Sequence, residues 1–67
     1  MVDTKKLKGL IVEKGYNQRK IAKEIGISET TMYKKMQIGI FGSDEMCAIS
    51  DILGMSDAQR LAIFFAE

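Results

Sequence analysis

The 67 residues carry 46 % apolar and 28 % charged side chains and a formal net charge of +1, the balance of one soluble globular domain with a marginal core. With no His and one Cys, Cys47, the chain has neither a disulfide partner of its own nor the ligands for a His/Cys zinc site, and it lacks the commonest general base. The longest apolar run, residues 61–66, is far shorter than the roughly 20 residues that span a bilayer, and no leader pattern opens the chain, so a cytoplasmic protein with no membrane segment, metal, cofactor or small-molecule substrate is expected.

In chain order, Leu7, Leu10 and Ile11 stand at helical spacing, with an opening near Asp3 or Thr4 and Gly15 as a left-handed stop. Gly9 inside this first helix implies either close backbone packing or mere tolerance. Asn17 caps a second helix with the stripe Ile21, Ala22 and Ile25, ended by Gly26. Ser28 caps a third, with Met32 and Met36 as its inward pair and Gly39 as its stop. A loop anchored by Phe41 leads to Ser43, the expected cap of a fourth helix with core positions Met46, Ile49, Ile52 and Leu53 and a stop at Gly54. Ser56 and Gln59 form a capping box for a fifth helix over 57–66. No stretch alternates as a strand does, so one all-α domain of five helices is expected over 1–67. The five Met residues read as core filler and Cys47 as a buried small hydrophobe.

The small net charge hides a division. Residues 1–37 hold nine basic and four acidic side chains, net +5, and residues 38–67 hold one basic and five acidic, net −4. Such a split points to a basic face that meets a polyanion and a second face with another purpose, or to a large dipole with no partner.

The segment 15–32 decides between them. Ala22 is small where two helices would cross, and Gly26, four residues on, can take the positive φ of a tight interhelical turn. Ile21, Ile25, Ile27 and Met32 fill the angle, and Ser28 starts the second helix of the pair. In this spacing the chain resembles the phage Cro and CI-type (XRE-like) helix-turn-helix repressors, over roughly residues 5–53, with the motif at about 17–37. The resemblance implies a lambda-repressor-like DNA-binding fold whose second motif helix lies in the major groove of operator DNA. The chain departs from that pattern at Lys35, where many relatives are apolar and Met36 follows instead. It departs again in 38–42, which lacks the basic residues that relatives place there. Phosphate contacts from that region would fall to backbone N–H groups and the helix start at Ser43.

The resemblance gives Gln18 a phosphate contact, against the alternative of a second capping residue. Ser28 opens the recognition helix. Glu29 and Thr30 are candidates for base edges, Glu29 as an acceptor from cytosine N4 and Thr30 through its methyl or hydroxyl. Glu29 alternatively complements the helix N-terminus. Thr31 either bonds a phosphate or packs beside Ala22. Tyr33, Lys34 and Lys35 project towards bases or backbone. Arg19, with Lys5, Lys6, Lys8, Lys20 and Lys23, supplies sequence-independent attraction.

In the last helix, Ala58, Leu61, Ala62 and Phe65 form one stripe, expected to face the core. Phe64 then lies on its flank and Ile63 nearly opposite, so both are expected in a homodimer interface. The function expected is a sequence-specific transcriptional regulator, a Cro-like repressor that binds palindromic double-stranded operator DNA as a homodimer. The alternative is a small helical protein-interaction module, anti-repressor or antitoxin-like, with an incidental basic face.

Overall fold

The computed structural model describes residues 1–66. Among them are five helices and no strand: α1 (Thr4–Glu13), α2 (Gln18–Ile25), α3 (Glu29–Ile38), α4 (Ser43–Leu53) and α5 (Asp57–Phe64). Each start has a local cause. Asp3, Asn17, Ser28 and Ser56 accept from the backbone N–H groups of Lys6, Lys20, Thr31 and Gln59, which a helix start leaves without partners. Gln59 returns a bond from its Oε1 to the Ser56 N–H, completing the expected capping box.

The ends are equally local. Gly26 and Gly39 close α2 and α3 at φ +80° and +77°, a conformation that costs a side chain roughly 1–2 kcal/mol. The two sites differ in their surroundings. A Cβ on Gly26 would meet nothing within 4 Å, whereas on Gly39 it would stand 3.3 Å from the Val2 carbonyl oxygen. Gly26→Ala is therefore expected to cost about 1–2 kcal/mol and Gly39→Ala clearly more, as read by urea unfolding. Equal midpoints would show that the contact with Val2 does not hold the end of α3.

One core joins all five helices. It holds Leu7, Leu10 and Ile11 of α1, Ile21 and Ala22 of α2, Met32 and Met36 of α3, Ile49 and Leu53 of α4, and Ile63 and Phe64 of α5, with Val2, Phe41 and Met55 from the connections. Tyr16, Ile25, Ile27, Met46 and Ile52 pack around it. Helix α2 rests on α3 and α4, and α1 meets α5. The N-terminal residues sew the far ends together. The Val2 N–H donates to the Gly39 carbonyl (3.2 Å) and the Asp3 N–H to the Ile63 carbonyl (2.7 Å).

The last helix reverses its expected orientation. Ile63 and Phe64 are buried, while Ala58, Leu61, Ala62 and Phe65 are exposed, and α5 ends at Phe64. Ile63 and Phe64 are thus core residues and present nothing to a partner. The inward stripe is Gln59, Arg60, Ile63 and Phe64, half of it polar, so apolar periodicity favours the wrong side. Its polar members sit at the start of the helix, where Gln59 serves the cap and Arg60 bonds Asp57 at 2.7 Å. Cys47 is likewise exposed, not buried, because α4 turns Ile49, Ser50 and Leu53 inward. Ser50 is satisfied there by donating to the Met46 carbonyl at 2.7 Å. Met1 is exposed and is not core. Nothing lies near Gly9, which α1 simply tolerates.

Candidate nucleic-acid interface

Helices α2 and α3 meet through Ile21, Ala22 and Met32, all 1 % exposed or less, with the Gly26–Ile27–Ser28 connection between them. The Ile27 N–H bonds back to the Ala22 carbonyl at 3.0 Å, which locks the turn against the end of α2. Burying one side of α3 commits the other to solvent. Glu29, Thr30, Thr31, Tyr33, Lys34 and Gln37 are all exposed. At 100° per residue, Glu29, Thr30, Tyr33, Lys34 and Gln37 form one continuous face.

Gln18, the first residue of α2, completes this face from the neighbouring helix. With Glu29, Thr30 and Tyr33 it lines an open cleft of about 300 Å³. Arg19 stands at its edge, its Nε 4.0 Å from a Glu29 carboxylate oxygen, with both side chains mostly in water. A pair that open holds neither partner firmly. The cleft therefore offers hydrogen-bonding groups of both kinds, a phenol ring and a methyl group. Gln37, not among the expected residues, belongs to the same face one turn beyond Tyr33, and helical period alone would have pointed to it.

Three expected site residues do other work. Ser28 is consumed by the cap: its Oγ accepts from the Thr31 N–H at 3.0 Å and donates to the Thr31 hydroxyl at 2.8 Å. Thr31 keeps its own hydroxyl proton to offer outward. Lys35 turns away from the exposed face towards α4, where its Nζ lies 3.1 Å from Glu45. That explains the departure at this position, because the side chain spans two helices instead of filling the core. Ser43 is the first residue of α4 and not its cap; the cap is Gly42, whose N–H donates to Glu45 Oε1 at 2.7 Å. Burial raises the Glu45 pKa, but the Gly42 N–H and the Lys35 ammonium outweigh it and hold the carboxyl below its ordinary value of 4.5. A phosphate at this helix start would meet a carboxylate already in place, so the α4 start is a poorer anion site than the sequence suggests.

Among the described residues, no group of His, Cys, Asp and Glu is arranged to hold a metal, and no helix is long and apolar enough to cross a membrane. Residues 4–37, half of the chain, match the family described as "Bacterial regulatory protein, Fis family", a helix-turn-helix family. The matched stretch is α1, α2 and α3 up to Gln37. Nothing among curated proteins or solved structures matches the chain.

Proposed function

The chain belongs to the Fis family of bacterial regulatory proteins, and from that membership we propose that it is a sequence-specific transcriptional regulator that lays α3 in the major groove of operator DNA. The observation that carries this is the exposed face of α3, with Gln18 and Arg19 beside it and no basic residue buried behind it. Gln18, Arg19 and Lys34 position the duplex through phosphates, and Glu29, Thr30 and Tyr33 face base edges. Thr31 donates to a phosphate, and Lys5, Lys6, Lys8, Lys20 and Lys23 add sequence-independent attraction. In this reading residues 1–67 act as one DNA-binding domain in the bacterial cytoplasm, without cofactor or catalytic step.

The narrower assignment is a Cro-like repressor. A single recognition helix reads few base pairs, so selectivity requires two copies on inverted half-sites. The surface for self-association is the exposed stripe Ala58, Leu61, Ala62 and Phe65, an i, i+3, i+4, i+7 seam without a charge. Ala58 and Ala62 let a second α5 approach closely, and a two-fold axis lets each copy present the same patch. The dimer so formed acts by occupying the operator and excluding polymerase.

The test separates two neighbouring lysines. Lys34→Ala is expected to weaken binding to every duplex about equally and to reduce the salt slope by about one, with thermal stability unchanged. Lys35→Ala is expected to lower the melting temperature instead, because it leaves Glu45 without its cation across the α3–α4 junction. Fluorescence anisotropy over a salt series, beside thermal melts, reads both. Binding that ignores salt in the parent protein would reject DNA as the partner and favour a protein-interaction module.

A further inference from the structure

Glu29 is the one acidic side chain on α3, and it stands where a regulator that must approach a polyanion would be expected to avoid acid. Its carboxylate is mostly exposed and borders the cleft shared with Gln18, Thr30 and Tyr33. The nearest cation is Arg19, 4.0 Å away on the first turn of α2 and more exposed still. Helix-start electrostatics alone does not require this placement, since the Ser28 hydroxyl already caps α3.

The major-groove edges give the carboxylate a sharp choice. Guanine presents N7 and O6, both acceptors, and thymine presents O4, also an acceptor. Adenine presents a donor beside the N7 acceptor. Only cytosine offers its N4 amino group without an acceptor of its own at that edge. A carboxylate is acceptor-only, so it gains a charge-assisted bond at cytosine and faces repulsion or a mixed edge elsewhere. Arg19 is placed to make this tolerable. While the protein is free, its guanidinium offsets the charge of Glu29. On the duplex a phosphate is the better partner for a guanidinium, and the weak, solvated pair gives way at little cost.

Resting on the regulator reading of α3, we propose that Glu29 is the specificity-determining residue of the half-site, selecting cytosine through N4 and rejecting the other bases, with Arg19 as a counter-ion that transfers to phosphate on binding. The selection works mainly by exclusion. Removing the carboxylate then strengthens binding to unrelated DNA, the opposite of what losing an ordinary contact does.

Site selection from random duplex DNA, followed by titration of the selected duplexes, tests this with the parent and with Glu29→Gln, Glu29→Ala and Arg19→Ala. The parent is expected to require cytosine at one half-site position and to discriminate there by about tenfold. Glu29→Gln should move that preference to adenine, whose N6 and N7 fit a carboxamide. Glu29→Ala should lose preference at that position alone and bind unrelated duplex several-fold more tightly. Arg19→Ala should keep the parental base preference while its salt slope falls by about one. Both residues changed are exposed, and circular dichroism verifies the fold. A parental preference that survives both Glu29 variants overturns the inference and leaves DNA binding standing. A parent that selects no sequence overturns the reading of α3 and this inference with it.

Discussion

Met32→Ala should leave most of the chain unfolded at physiological temperature. Met32 is fully buried on α3, in the angle against Ile21 and Ala22 of α2. Truncating such a side chain removes its transfer energy and leaves a cavity, which together cost about 2–5 kcal/mol. A core of this size rarely supplies more than about 3–5 kcal/mol in total, so the loss is comparable to the whole stability. Met32→Leu keeps the volume and should cost less than about 1.5 kcal/mol, with DNA binding retained. Met46, only half-buried, should tolerate truncation better than Met32. Thermal melts followed at a helical wavelength decide the matter, since each kcal/mol lowers the midpoint by about 4–8 °C in a domain this small. A midpoint only a few degrees lower in Met32→Ala would mean that the α2–α3 angle is not a main support of the fold.

The same angle was the part of the molecule most legible in the sequence, because its causes are local. Asn17 and Ser28 cap within three residues of themselves, Gly26 takes its φ from its lack of a Cβ, and Ala22 is small where a helix crosses. The exposed face of α3 followed from the buried pair Met32 and Met36 by helical period. What could not be read depends on partners distant in the chain. Lys35 looked like a DNA-facing cation until α4 brought Glu45 beside it. Ser43 looked like a cap because its hydroxyl suits one, yet Glu45 reaches back one residue further and caps Gly42 instead. In α5 the apolar period points to the wrong side, because two of the inward positions, Gln59 and Arg60, are polar. The inward side is set by Met55, buried just before the cap, and by the N-terminal segment, where the Asp3 N–H seizes the Ile63 carbonyl.

The division of charge now has a structural meaning. The net +5 half is α1, α2 and α3, the stretch that matches the regulator family, and the net −4 half carries α4 and α5. An acidic half is repelled by the duplex, which leaves α5 pointing to some other surface. Two acidic halves also repel each other, so a dimer through α5 must rely on uncharged contact. Ala58, Leu61, Ala62 and Phe65 are the uncharged, exposed residues along and just past α5 on which the proposed dimer would rest.

Leu61→Asp and Phe65→Asp should therefore abolish the advantage of a full palindrome over a half-site while leaving half-site affinity intact. Joining two weak binders converts the second contact into an intramolecular one, an advantage that reaches about 10²–10⁴-fold when the geometry fits. The domain measures 27 × 23 × 20 Å, and half-sites one helical turn apart are about 34 Å from centre to centre, so each half-site has room for one copy. Both side chains lie in water, 64 % and 61 % exposed, so aspartate there does not disturb the core. Ile63→Asp and Phe64→Asp provide the contrast, because a charge at either buried position should unfold the chain outright. Salt adds a second signature. Raising it should weaken DNA binding but strengthen self-association in sedimentation, as the repulsion between acidic halves is screened. A parent that stays monomeric at every salt concentration and binds half-site and palindrome alike would remove the second copy from the mechanism, and the stripe on α5 would then belong to a different protein.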